Sequence, residues 1–290
     1  MVVLIAESIN IMSKTIGPAM RERVAKPIQD MALAEAKAGA DLLDINIGPA
    51  RKAGDELMQW IVKTVQSVTE VPLSLDTTNP VAMEAGLQVC KGKALINSIS
   101  PVRFDTELPM VQKYNACMVG LLWGLEGMPR DSAERGMLAV DLIYKANEAG
   151  VVNEDIWIDP IATPVSQINQ VKSCFEFMGM LSDIAPGCKS TVGLSNISNG
   201  SPAHLRPYLN RAFLCMLMKY NIYSAIVDVM DAELVKIAHG QMPEIVSFVH
   251  RIMDGDRPDI SKLTPKEVEY YKTVRVLLGE TMYSDSWLEI

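Results

Sequence analysis

Residues 71–89, VPLSLDTTNPVAMEAGLQV, hold one complete unit of the architecture. The apolar run 71–76 is short and unbroken, which suits a strand covered on both faces better than one with a wet side. It ends on Asp76. Asn79 then stands directly before Pro80, pairing an N-cap side chain with a proline at the first helical position, and 80–89 continues as an amphipathic stretch. A polar side chain therefore sits where strand gives way to loop, with a helix following at once. In a parallel barrel that position faces the active site, because the carboxyl ends of the strands build the mouth.

The same unit recurs from end to end. Strand-like runs at 2–6, 41–47, 71–76, 94–99, 116–123, 155–159, 190–195 and 224–229 alternate with amphipathic stretches, clearest at 26–38, 55–69, 80–89, 131–148, 165–182 and 205–219. Gly39 and Gly150 supply stops ahead of the next strand. Asp131 with Glu134 three residues on is arranged like a capping box. Eight strands in strict alternation with helices predict a (β/α)8 TIM barrel. No glycine-rich phosphate turn follows the first strand, as a doubly wound nucleotide-binding sheet would need. Beyond 229 the rhythm changes: helix-like stretches at 231–239 and 242–253, a polar loop at 254–265, a helix at 266–279 and a short tail. The reading is one domain over 1–290, with 245–278 as a helical excursion packed on the barrel's exterior.

Composition narrows the function. A length of 290 residues fits one such barrel, and 49% hydrophobic residues can fill its core. A net charge of −8 with no basic stripe argues against nucleic acid. Five cysteines, an odd number without tight pairing, point to a reducing compartment. The first residues lack a basic leader and no run is apolar enough for a bilayer, so a cytoplasmic protein without a membrane partner is expected. The 18 methionines read as pliable core filler, with Met128 and Met230 placed to line apolar surface near the mouth.

The three histidines, His204, His239 and His250, share no metal spacing, and there is no HExxH, CxxC or GxSxG. No metal held by this chain is expected, and His204 reads as a surface residue. What remains is a rim set. Glu7 and Asn10 follow the first strand, Asp44 and Asn46 end the second, and Asp76, Asn97, Asp159 and Asn196 come from later ones. Arg206 follows Asn196, and Asp228 ends the eighth strand. Any one of them could be a solvated cap. So many on one rim would bury carboxylates without partners unless a ligand met them. A pterin suits the set: carboxylates accept from its 2-amino and N3–H edge, and amides donate and accept elsewhere around the ring.

Nine segments sharpen this reading: ESIN (7–10), LLDINIGPA (42–50), SLDTTN (74–79), ALINSIS (94–100), GMPRDS (127–132), IDPI (158–161), GLSNIS (193–198), NRAFL (210–214) and YSDSW (283–287). On these the chain resembles the pterin-binding family of (β/α)8 barrels, and within it the methyltetrahydrofolate–corrinoid protein methyltransferases. The likeness runs from residue 1 to about 240 and resumes at the tail. The resemblance implies that Asp76, Asn97 and Asp159 hold the pterin ring and that Asn196 is the catalytic residue near N5. It further implies that Arg206 orders that loop, while Glu7, Asp44 and Asn46 support the set from the barrel floor, with Asn10 and Asp228 in lesser roles. Tetrahydrofolate or 5-methyltetrahydrofolate would be the substrate. A corrinoid (cobalamin) would arrive on a partner protein, since the chain has no Asp-x-His-x-x-Gly segment, and a homodimer is expected.

Two alternatives stay open. Dihydropteroate synthase shares the Asp–Asn–Asp set but would bring an Asn-x-Thr-Pro-Asp-Ser-Phe turn, a late Ser-Arg-Lys and an Arg-Val-His-Asp close, none of which is present. A noncatalytic folate-binding subunit would not need Asn196, because ring capture requires no contact to N5. Methionine synthase contains a similar module in a far longer chain, so this would be the free-standing form. The direction of methyl transfer stays open, because both directions share one transition state.

Overall fold

Eight short parallel strands organise the chain in a computed structural model that describes residues 1–289: β1 (Val3–Ala6), β2 (Leu42–Asn46), β3 (Leu73–Asp76), β4 (Leu95–Ile99), β5 (Cys117–Leu121), β6 (Ile156–Asp159), β7 (Lys189–Ser190) and β8 (Ser224–Val227). Strands adjacent in sequence are adjacent in the sheet, and β1 also pairs with β8, from Val3 opposite Ser224 to Ala6 opposite Val227. Between β7 and β8 the circle closes on a bond from the Ile226 N–H to the Val192 carbonyl (2.8 Å) and a parallel bridge between Gly193 and Ile226. The architecture is a (β/α)8 TIM barrel.

Strand alternation sorts the side chains into two layers. Leu4, Ala6, Leu43, Ile45, Leu73, Leu75, Ile96, Ile156 and Ile158 belong to the large core between strands and helices. Ile5, Leu95, Val119 and Trp157 form a separate cluster, joined by Leu42, Cys117, Tyr223 and Ile226, that fills the lumen. Two residues further along the same strands stand Glu7, Asn97, Leu121, Asp159, Asp44 and Asp228, on the lumen side one layer higher. The barrel is thus apolar at its base and polar at its mouth.

The helices are α1 (Ile16–Arg21), α2 (Ala25–Ala38), α3 (Gly54–Gln66), α4 (Pro80–Val89), α5 (Phe104–Lys113), α6 (Ser132–Glu148), α7 (Ile168–Ile184), α8 (Arg206–Met218), α9 (Ala232–Ala238), α10 (Pro243–Met253) and α11 (Pro265–Leu277). Asn79 caps α4 by accepting from the N–H groups of Val81 (3.0 Å) and Ala82 (3.3 Å). Asp131 caps α6 through the Glu134 N–H (2.9 Å), but the Glu134 carboxylate reaches back to the N–H of Arg130 (2.7 Å), one residue before the expected place. Gly39, after α2, takes the left-handed conformation (φ 108°) that ends a helix without a Cβ clash.

Three elements depart from expectation. α1 has six residues, too few to show a helical period. α5 carries Pro109 inside it, which reads in sequence as a break. β7 is two residues long instead of covering 190–195, because Leu194–Ser198 winds into a 3-10 turn. Leu194 and Ile197 are both fully buried, and their three-residue spacing falls on one side of a 3-10 turn but on opposite faces of a strand.

After β8, α10 and α11 pack on α8 and on each other. Thr264 and Glu267 form a complete capping box at the start of α11. The tail returns to the barrel: Trp287 is buried and its Nε1 donates to Thr273 Oγ1 (3.1 Å), while the Tyr283 and Ser201 hydroxyls are 2.7 Å apart. Tyr283 thereby braces the loop between β7 and α8. Among the described residues no helix is long and apolar enough to cross a membrane.

Candidate active site

Three neighbouring strands set one wall of the mouth. Ladder register places Asn46, Asp76 and Asn97 side by side on β2, β3 and β4, with Asp44 opposite Ser74 one step below. Asn46 donates through Nδ2 to Asp76 Oδ2 and accepts through Oδ1 from the Gly48 N–H (2.9 Å). Asn97 donates through Nδ2 to Asp44 Oδ1 (3.0 Å), which also accepts the Ser74 hydroxyl (2.6 Å). Asp44 thus aligns the amide of Asn97, and Asn46 aligns the carboxyl of Asp76. On β6, Asp159 accepts through Oδ1 from the Ile161 N–H (2.8 Å).

The facing wall comes from the ends of β1, β7 and β8. Glu7 Oε2 accepts the Ser195 hydroxyl (3.0 Å). Arg206, at the start of α8, donates from Nε to Ser198 Oγ (3.0 Å) and from Nη2 to the Ser195 carbonyl (3.3 Å), so it pins the turn that carries Asn196. Asn196 is exposed, and its amide folds back over Gly193, where Nδ2 lies 3.0 Å from the place a Cβ would occupy. A cavity of about 240 Å3 opens here, lined by Glu7, Ser195, Arg206, Asn210, Asp228 and Asp231.

Burial dominates the electrostatics. It pushes Glu7 up to about 7, with Asp228 and Asp44 adding to the rise and the Ser195 bond and Arg206 opposing it. Burial likewise raises Asp44 to about 6 against the bonds from Ser74 and Asn97, and Asp159 to about 6 against the Ile161 N–H and Arg135. Asp76 is raised well above the usual carboxylate range by burial and by Asp44, with Arg103 pulling the other way. Several carboxyls of one mouth therefore hold or release protons near neutral pH, which suits proton transfer to a bound ring.

The remaining rim residues play smaller parts. Asn10 spends its Oδ1 on the N–H of Met12 (2.8 Å), and Asp228, exposed, spends its Oδ1 on the N–H of Met230 (2.9 Å). Asp44 stands one step below the level of Asp76, opposite Ser74. Asn46 stands level with Asp76, and Glu7 faces the mouth beyond the last residue of β1, because each lies at the carboxyl end of its strand. Three buried charged residues on helices were not anticipated. Glu107 of α5 accepts through Oε1 from Arg103 Nε (2.8 Å), and its Oε2 has no partner. Glu35 of α2 is fully buried; its Oε1 accepts the Ser8 N–H (2.8 Å), its Oε2 has no partner, and burial raises it to about 7. Arg135 of α6 is also fully buried. Among the described residues no group of three His, Cys, Asp or Glu side chains is gathered as a metal site would require.

A family model described as pterin binding enzyme matches residues 18–228. The chain belongs to that family. This pterin binding enzyme is 29% identical over 232 residues to the methylcorrinoid:tetrahydrofolate methyltransferase of Eubacterium limosum, a match spanning 78% of this chain and 84% of that one. It is 28% identical over 228 residues to the methionine synthase of Mycobacterium leprae (strain TN), spanning 74% of this chain but 19% of that protein, so the likeness is to one segment of a much longer protein. Among solved structures, a dihydropteroate synthase from Xanthomonas albilineans superposes with a TM-score of 0.64 at 19% identity, over 84% of this chain and 93% of that one. That likeness is one of fold. Within the family, the chain is a methyltransferase.

Proposed function

We propose that this methyltransferase moves a methyl group between N5 of tetrahydrofolate and the cobalt of a corrinoid carried by a partner protein. The observation that carries the reading is the division of the mouth. One wall offers Asp76, Asn97 and Asp159, each oriented by a second group, to the hydrogen-bonding edge of a flat ring. The other offers the amide of Asn196 beside Glu7, a carboxyl able to hold a proton at neutral pH. The name of the Eubacterium limosum relative favours tetrahydrofolate as the methyl acceptor.

In this reading Asp76, Asn97 and Asp159 hold the pterin and leave N5 toward the β7–α8 loop. N5 attacks the methyl group with its lone pair, the bond to cobalt breaks with its electron pair left on the metal, and N5 sheds its proton. Asn196 hydrogen-bonds N5, and that contact strengthens as charge grows there, which is what raises the rate. An amide cannot carry the proton, so the carboxyls around Glu7 take it, directly or through water. Reversal of the same steps protonates N5 and makes it a better leaving group. Arg206 keeps the Asn196 turn in place, and Glu7, Asp44, Asn46, Asn10 and Asp228 support the two walls.

The partner's approach is supported by apolar side chains left exposed on loops of the mouth: Met12 after β1, Val102 after β4, Trp123 and Leu125 after β5, and Met230 after β8. A homodimer remains part of the proposal. The test is Asn196→Ala. Methyl transfer from methylcobalamin to tetrahydrofolate, followed by the corrinoid's absorbance, should slow by about a hundredfold or more, while tetrahydrofolate affinity changes little. Equal losses in turnover and affinity would reject the role of Asn196.

A further inference from the structure

Arg135 is fully buried on the inner face of α6. Its guanidinium makes four hydrogen bonds, all to uncharged acceptors: Nε to the Pro160 carbonyl (2.8 Å), Nη1 to Ser173 Oγ (2.5 Å) and to the Asp131 carbonyl (3.3 Å), and Nη2 to Gln170 Oε1 (2.9 Å). The nearby acids are committed elsewhere. The Asp131 carboxylate caps α6 at the Glu134 N–H, and Glu176 accepts from Ser132 Oγ (2.9 Å); both are exposed. A guanidinium is always charged, and burying one without an ion-pair partner costs several kcal/mol, on the order of what a buried charge loses on leaving water. A neutral side chain could bridge α6 to α7 more cheaply. The charge therefore needs an explanation beyond packing.

Its bond to the Pro160 carbonyl gives one. Pro160 directly follows Asp159, so Nε of Arg135 grips the backbone at the carboxyl end of β6. From the helix side, the charged or titratable groups facing Asp159 are Arg135 of α6 and Cys174 of α7. Cys174 stays a neutral thiol, because burial pushes it up to about 12. On the lumen side the mouth brings the acids Glu7, Asp44, Asp76 and Asp228, and its two arginines act on other carboxyls, Arg206 on Glu7 and Arg103 on Asp76. Arg135 is thus the positive charge that Asp159 has behind it.

We propose that Arg135 is the positioning residue of the pterin-binding carboxylate: it anchors the turn after β6 and stations a positive charge behind Asp159, so that Asp159 meets the pterin's donor edge as a carboxylate. This rests on the reading that Asp159 contacts the ring. Burial raises Asp159 to about 6 against the opposing pull of the Ile161 N–H and Arg135. Without the cation the carboxyl would protonate at higher pH and lose an acceptor that the ring requires.

The experiment is tetrahydrofolate binding, measured by calorimetry on the full chain between about pH 5.5 and 8.5. Arg135→Gln should move the acid limb of affinity upward by about one pH unit, the scale set by one nearby opposite charge. Affinity would then fall about fivefold at pH 6 and hardly at pH 8. Arg135→Lys, which keeps the charge, should restore most of the limb. Ser173→Asp keeps the arginine but places a carboxylate on it, and should move the limb like Arg135→Gln; it serves also if the glutamine variant does not fold. A loss equal at both pH values, or a limb unmoved by either neutralising variant, overturns the proposal in favour of packing alone. Asp159→Asn separates the two readings: it should weaken binding and abolish the pH-dependent effect of Arg135→Gln. If it leaves affinity intact, the contact between Asp159 and the ring is wrong and this inference falls with it.

Discussion

Replacing Glu35 by glutamine changes how stability depends on pH, and the size of the change follows from the burial of one carboxyl. Glu35 is fully buried beneath the mouth and has moved from the usual 4.5 to about 7, chiefly through burial. Between those values the native protein holds a proton that the unfolded chain has released, so stability declines as pH rises through that window. Above it both states are ionised and the native state bears the whole cost, about 3 kcal/mol at pH 8 against about 0.8 kcal/mol at pH 5. Glutamine keeps the acceptor for the Ser8 N–H and places an amide nitrogen where Oε2 already lacks a partner. That unpaired donor costs about 1–3 kcal/mol at every pH. The offset cancels when the two pH values are compared, so Glu35→Gln should gain about 2.5 kcal/mol relative to the parent between pH 5 and pH 8. Urea unfolding of both proteins at the two pH values measures it. A difference between variant and parent that is the same at pH 5 and pH 8 would refute the claim that Glu35 is forced to ionise inside the protein.

Two further outcomes concern the mouth. Gly193→Ala keeps an ordinary backbone conformation (φ −71°) but brings a Cβ within 3.0 Å of Asn196 Nδ2; methyl transfer should drop about tenfold with the melting temperature nearly unchanged, and unaltered turnover would show that the folded-back amide is not the working one. Asp76→Asn should weaken tetrahydrofolate binding by roughly tenfold to a hundredfold, the value of a hydrogen bond to a charged acceptor; a titration showing unchanged affinity would remove Asp76 from the ring-holding set.

The barrel is legible in sequence because each of its units is punctuated by local chemistry. Asn79–Pro80 and the glycine at 39 act within a few residues, so their effect does not wait on tertiary packing. The failures lie where packing overrides local signal. α5 forms through Pro109 because Phe104, Leu108 and Val111 are buried on one face of it. β7 stops early because Leu194 and Ile197 are drawn into the same core. That exception has a consequence for the site: the 3-10 turn that replaces the end of the strand is what presents Ser195 to Glu7 and leaves Asn196 on the open side.

The strand-end residues of the site were accessible to the same reasoning, since strand alternation and the barrel's polarity place them without any knowledge of contacts. Glu35 and Arg135 were not, although each leaves a trace. Glu35 continues the buried stripe of α2 through Ile28 and Ala32, and Arg135 begins the buried stripe of α6 that runs through Ala139, Leu142 and Ala146. An amphipathic reading assigns charged residues to the wet face and passes over both. A charge at a core position of a helical stripe contradicts its own pattern, and burying it is costly enough that the contradiction needs a cause. Among the described residues three such charges have a fully buried side chain, and each reaches a strand end: Glu35 through the Ser8 N–H after β1, Arg135 through the Pro160 carbonyl after β6, and Glu107 of α5 through Arg103, which donates to the Ser98 carbonyl of β4. Helices that wrap a barrel are therefore a second source of site residues, found by looking for the charge that breaks the apolar stripe and asking which strand end lies beneath it.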